Sequence, residues 1–382
     1  MTDLPLFHLP WDDVQPADFR HCATSIGKRR LANEMEGNAQ GCAMPVWGWH
    51  LGRPISLAIG VLASLGLFIS SGAMPQSPKE SPSASAASFP AWAYPWAPDF
   101  KLPPDDGVPR HVPDSAAAFT VTQERDLFLA PDWHPNDHPP MPGVVARGRP
   151  PEVRACGSCH RTDGTGGPEN ASLAGLPAAY IIAQIADYKS GKRKFAGPAR
   201  SPVTLMIATA KAATDQEVRA AATYFSSLKP KQNIKVVETD TVPVTEIVRV
   251  FYRAVKNGGT EPIGERIVEI PVDADQFEHR DSRAQFVAYA PKGSIARGEA
   301  LAKTGGGGIT TACISCHGPD LKGMNPIPGI AGRSPSYVVR QLYDFQQQVR
   351  AGDAGAMMTP IVEKLSHADM IALAAYLSSL KP

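Results

Sequence analysis

Two five-residue stretches, "CGSCH" at Cys156 to His160 and "CISCH" at Cys313 to His317, carry the most reactive side chains of this 382-residue chain. In each, two residues separate a pair of cysteines and a histidine follows directly. That is the pattern by which haem c is attached through two thioether bonds while the histidine ligates the iron. Zinc sites and dithiol couples also use C-x-x-C, but neither accounts for a histidine after the second cysteine in both stretches. The other two cysteines, Cys22 and Cys42, stand apart near the start.

An iron held by one histidine has a sixth position. A methionine sulfur there raises the reduction potential and closes the metal to substrates. An internal repeat selects the methionines. One copy ends "AAATYFSSLKP" at Pro230 and the other ends "ALAAYLSSLKP" at Pro382. Tyr180, Gln184 and Asp187 correspond to Tyr337, Gln341 and Asp344 at an offset of 157, shared by the two histidines and by "LAG" (173–175) and "IAG" (330–332). The offset falls to 152 in the last helices, so the first copy has five extra loop residues. Met206 lies eighteen residues before Tyr224, and Met358 eighteen before Tyr376. These two are the expected ligands. Met357 is out of register by one and is expected to pack beside the ring. Met324 is too near His317, Met370 lies within the last helix, and His367 is expected at an exposed cap. His134, His138 and Met141 fall in a proline-stiffened loop before the first motif.

The elements that must hold these residues read as helices. "YIIAQIADYKSG" and "YVVRQLYDFQQQVRAG" place apolar residues at helical spacing and end at glycine. Thr214 and Ser366 stand where N-caps belong before the two final helices. "SIARGEALAKTG", capped by Ser294, predicts a helix before the second motif, and its counterpart is broken by Pro150 and Pro151. Residues 231–292 differ: "IKVVETDTV", "RVFYRAV", "ERIVEI" and "FVAYA" read as short strands, expected to pack the two haem domains together.

Ahead of the repeats, Ile55 to Ser71 is apolar and uncharged. As a helix it would extend about 26 Å, fitting either a signal-peptide core or a marginal membrane anchor. "SGAM" after it offers small residues for cleavage, and a start at Met44 would give an ordinary export signal and make residues 1–43 an artefact of annotation. Residues rich in proline, serine and alanine follow and read as a tether without a core. The expected organisation is an N-terminal extension (1–54), the signal or anchor (55–73), the tether (74–118), a first haem domain (119–230), a strand-containing connector (231–292) and a second haem domain (293–382).

With its two C-x-x-C-H motifs, "LAG" and "IAG" turns, Tyr…Gln…Asp helices, downstream methionines and "SSL" helices, the chain from about Pro142 resembles a dihaem class I cytochrome c, most closely the cytochrome c4 family. The resemblance implies a mainly α fold of two tandem domains and thioether bonds from Cys156, Cys159, Cys313 and Cys316. It implies axial ligation by His160 with Met206 and by His317 with Met358, two covalently bound haem c groups, and no catalytic residue. In this family a backbone carbonyl orients each proximal histidine; only the second copy has a proline near its turn, so the residue serving His160 is left open.

The implied function is one-electron transfer between partners such as a quinol-oxidising complex, a dehydrogenase or a terminal oxidase, in the periplasm or anchored to the inner membrane. The alternatives are a cytochrome subunit of a membrane-associated dehydrogenase or oxidase complex, and a dihaem enzyme of peroxidase or thiosulfate dehydrogenase type. A net charge of +1 offers no general attraction to nucleic acid or anionic lipid. Residues 140–230 hold twelve Lys and Arg against six Asp and Glu, with "KSGKRKFAGPAR" (189–200) the densest cluster. That cluster reads either as a docking patch for an acidic partner or as a solvated loop.

Overall fold

The computed structural model describes residues 89–382. The extension, the apolar run and the first part of the tether lie outside the described residues.

Each repeat is a small helical unit. In the first, helices Ala178–Ser190, Ser201–Ala212 and Asp215–Ser227 follow the haem motif, around a core that includes Val145, Val153, Leu176, Ile181, Ala222 and Phe225. In the second, helix Ser294–Thr304 precedes the motif and helices Pro335–Gln346 and His367–Ser379 follow it. Both final helices start with a full capping box, Thr214 with Glu217 and Ser366 with Asp369, which satisfies amide donors that a helix start leaves open. Ser294 is the first helical residue rather than the cap; Gly293 holds that position with φ 82° and no side-chain bond. At the site of the missing helix in the first copy there is only a turn, Gly143–Ala146, followed by a bridge between Arg149 and Val153. In the second copy helix Ser294–Thr304 crosses the last helix so closely that a Cβ on Gly298 would sit 2.0 Å from the Ala372 carbonyl oxygen.

The connector forms seven strands: β1 Ile234–Glu238, β2 Thr241–Pro243, β3 Thr245–Val248, β4 Phe251–Ala254, β5 Thr260–Pro262, β6 Val268–Pro271 and β7 Phe286–Ala290. A three-stranded sheet runs β1-β7-β6, with β1 parallel and β6 antiparallel to β7, while β2 pairs with β5 and β3 with β4. Alternation in β7 turns Phe286, Ala288 and Ala290 inward. They share one core with Leu301, Met370 and Tyr376 of the second repeat. Glu269 of β6, also buried, accepts from Ser334 Oγ (2.8 Å) and the Ser336 amide (3.2 Å) at the start of helix Pro335–Gln346. So the expectation of a mainly α fold holds for the repeats, and the connector adds a β layer to the second of them.

From Phe89 onward the proline-rich stretch is not a free tether, contrary to the expectation from composition. Ala93 and Tyr94 are buried in the second repeat's core, the Ala93 carbonyl accepts from Arg340 Nη1 (2.8 Å), and Trp92 Nε1 donates to His367 Nε2 (2.9 Å). His367 is accordingly half-buried, not exposed. The aromatic side chains of "FPAWAY" supply apolar area that prolines and serines lack; each buried large side chain contributes about 1.5–3 kcal/mol.

Candidate haem centres

The first motif forms the short helix Cys156–His160, and the second Ile314–His317. His160 Nδ1 donates to the Ala171 carbonyl at 2.8 Å, and His317 Nδ1 to the Pro328 carbonyl at 2.8 Å. A carbonyl only accepts, so each Nδ1 carries the proton and each Nε2 keeps its lone pair for a metal. Burial holds both imidazoles below the usual histidine pKa, in the neutral form a ligand needs. Ala171 and Pro328 are themselves 157 apart. The repeat offset therefore contained the partner of His160, which a search for a proline missed.

The backbone around the two histidines repeats as well. Gly166 N bonds the His160 carbonyl and Gly323 N that of His317, while Gly164 O and Leu321 O each accept two amides of the following turn. The residue after each histidine has positive φ, 84° at Gly318 and 68° at Arg161. That conformation, with ψ 158° at Arg161, costs a non-glycine residue about 1–3 kcal/mol, so Arg161 is held by its surroundings. Its guanidinium lies 5.2 Å from the Phe277 ring centre and 3.6 Å from Glu169.

Cys156, Cys159, Cys313 and Cys316 are all free thiols. Two unbonded cysteines beside a neutral histidine in each repeat are a donor set that fits covalently attached haem. Met206 lies within helix Ser201–Ala212, half-buried. Met358 is half-buried against the second core, immediately before the turn Thr359–Val362. Met357 is 69 % exposed with respect to the protein's own side chains. Met324 is 48 % exposed and Met370 fully buried in the core. His134 is paired with Asp281 of the connector (2.9 Å) and His138 with Asp132 of its own loop (3.1 Å), so both are engaged in structural contacts.

Between the two repeats lies a paired network, each residue matched at the 157 offset. Arg193 donates to Gln184 (2.8 Å) in its own repeat and to Tyr337 (3.1 Å) and Gln341 (2.9 Å) in the other. Arg350 reciprocates, donating to Gln341 (3.0 Å), Tyr180 (2.7 Å) and Gln184 (2.8 Å). Backbone bonds Lys194 N to Val349 O and Ala351 N to Lys192 O close the pair. Part of the basic cluster 189–200 is thus interface between the repeats, while Lys194 remains exposed. Arg193 and Arg200 are buried, and Lys192 meets Asp353 of the second repeat at 2.9 Å.

Comparison with known proteins places this geometry. The family model described as Cytochrome c matches residues 146–229 and again 295–381. Cytochrome c-554(548) of Halomonas halodenitrificans is 38 % identical over 68 residues, 18 % of this chain and 82 % of that protein. Cytochrome c4 of Azotobacter vinelandii is 28 % identical over 235 residues, 60 % of this chain and 86 % of that protein. A thiosulfate dehydrogenase electron acceptor of Thiomonas intermedia is 26 % identical over 233 residues, 60 % of this chain and 80 % of that protein.

Proposed function

The chain belongs to the cytochrome c family, as a dihaem electron-transfer protein with two covalently bound haem c groups, and from that premise we propose that it is a carrier in which both irons are closed to substrate. The haem domains are taken as residues 119–230 and 293–382. His160 with Met206 and His317 with Met358 would hold the two irons, and Cys156, Cys159, Cys313 and Cys316 would carry the thioether bonds. When bound, each haem iron supplies a reversible one-electron couple. The chain does the rest: Ala171 and Pro328 fix the imidazoles, the methionine sulfurs keep water and substrate from the sixth position, and the Arg193–Arg350 network holds the two centres at one separation.

The observation that carries this reading is the matched histidine geometry, the same 2.8 Å carbonyl bond at equivalent positions of both repeats. Two centres built alike support two irons of like coordination. Partners are redox proteins; the relative named as the electron acceptor of a thiosulfate dehydrogenase favours a substrate-oxidising dehydrogenase as donor over the quinol-oxidising complex. Because thioether attachment takes place outside the cytoplasm, we assign the haem domains to the periplasmic side. No described helix is long and apolar enough to cross a membrane, so anchoring would rest on residues 55–73.

Absorption spectra of the oxidised and reduced holoprotein test the reading. Low-spin, six-coordinate iron with a sulfur-to-iron band in both domains is expected. Five-coordinate, high-spin iron in either would overturn it in favour of a dihaem enzyme.

A further inference from the structure

Equivalent surfaces of the two repeats meet different surroundings. Ser158, between the cysteines of the first motif, is 1 % exposed, whereas its counterpart Ser315 is exposed. After the histidine, Thr162 and Asp163 are buried while Pro319 and Asp320 are exposed.

Much of the cover comes from chain outside the repeat. The Leu127 carbonyl accepts from Ser158 Oγ (3.2 Å) and from the Ala155 amide (2.9 Å). Arg280 Nη1 donates to the Ser158 carbonyl (2.9 Å), Phe277 lies against Arg161, and the Ser282 carbonyl accepts from Thr165 Oγ1 (3.4 Å). Leu127 belongs to the start of the first haem domain, ahead of the stretch that repeats, and Phe277 to Ser282 belong to the connector. The two segments are fastened to each other: Trp133 Nε1 donates to the His279 carbonyl (2.7 Å), and His279 pairs with Glu124 (2.9 Å). Beside Cys159 a cavity of about 270 Å³ is walled by Leu127, Phe277 and Arg280 on one side and by Ser201, Pro202 and Leu205, from the helix that carries Met206, on the other, so the residues present leave room there for the first haem.

Among the described residues nothing comparable covers the second motif. Ile309 is 36 %, Met324 48 % and Met357 69 % exposed. Met324 lies beside Gly318, next to the ligand histidine, and Thr310 Oγ1 donates to the Ile361 carbonyl (2.6 Å), holding Ile309 near the Met358 loop. The charges here, Asp320 and Lys322, offset one another.

We propose that this cover makes the molecule one-ended: partner proteins exchange electrons at the second haem, through the surface of Ile309, Ser315, Met324 and Met357, and reach the first haem only through the second. The partner that fits is a redox protein whose own cofactor lies under an apolar, uncharged surface, because charge complementarity has little to act on at this patch while apolar contact does. Each encounter moves one electron: the partner loses it and the second iron gains it, or the reverse. The proposal rests on the carrier reading, whose spectra are recorded first and decide that reading separately.

The test uses the holoprotein and, as probe, a small blue-copper protein with an apolar surface around its copper. Ile309→Glu and Met324→Glu should each slow second-order electron exchange about tenfold, the equivalent of 1.4 kcal/mol. Ile182→Glu, a comparably exposed position on the first repeat, should leave the rate unchanged. Hydrogen–deuterium exchange of the complex should show probe protection at 309–324. Unchanged rates in both second-repeat variants, slowing by Ile182→Glu alone, or protection at 157–163 and 277–283 in its place would each overturn the proposal.

Discussion

At the scale of single residues, each proposed iron ligand is prepared before any metal arrives. A proton fixed on Nδ1 leaves one nitrogen free in one direction, and burial keeps the ring neutral. The adjacent methionines then separate by environment, Met358 half-buried against the core and Met357 exposed. Met358→Ala should abolish the sulfur-to-iron band of the second haem and lower its potential, whereas Met357→Leu should change neither. Spectra and a redox titration check this, and the reverse result would mean that the repeat register is wrong by one.

At the scale of elements, helices Ser294–Thr304 and His367–Ser379 cross closely at Gly298. A methyl group there meets a backbone carbonyl that has no free rotation to yield. Gly298→Ala should cost about 1–3 kcal/mol through overpacking, read as a lowered unfolding midpoint. The cover over the first motif has its own signature. The Glu124 carboxylate holds the His279 pKa above the usual histidine value. A raised pKa in the fold contributes stability that is fully present below the unfolded value of about 6.5 and is lost as pH rises through the folded one. Thermal stability should therefore fall as pH rises from 6 towards 8 by an increment that His279→Gln removes. An identical pH profile in that variant would exclude this pair as the cause.

At the scale of the whole molecule, the paired arginines join the two repeats. Arg193 and Arg350 share the same two glutamine oxygens as acceptors, so their contributions cannot be independent. Arg193→Ala and Arg350→Ala should each destabilise by about 2–4 kcal/mol, through lost charge-assisted bonds and stranded buried acceptors. The double variant should cost measurably less or more than their sum, and strict additivity in a double-mutant cycle would show that the two sides act separately. Neutralising this cluster to test docking would instead loosen the domain interface. A change in electron-transfer rate in such variants needs that control.

Much of this protein was legible from spacing. The motifs, the offset of 157, the capping residues Thr214 and Ser366 and the strand character of 231–292 are local patterns, because thioether attachment, helix starts and β alternation each depend on residues close in sequence. The offset even encoded the carbonyl of Ala171. Composition misled where it averaged: a few aromatics among prolines anchor residues 89–97 to the second repeat, and part of a lysine- and arginine-rich loop became an interface. The cover over the first motif could not be read from sequence. Leu127 and Arg280 meet at Ser158 from positions 31 and 122 residues away, and such contacts depend on how the connector's sheet packs on the second repeat. The sequence by itself determined two like centres; only the tertiary structure decided that their surfaces are unlike, because burial belongs to the packed chain and not to the motif.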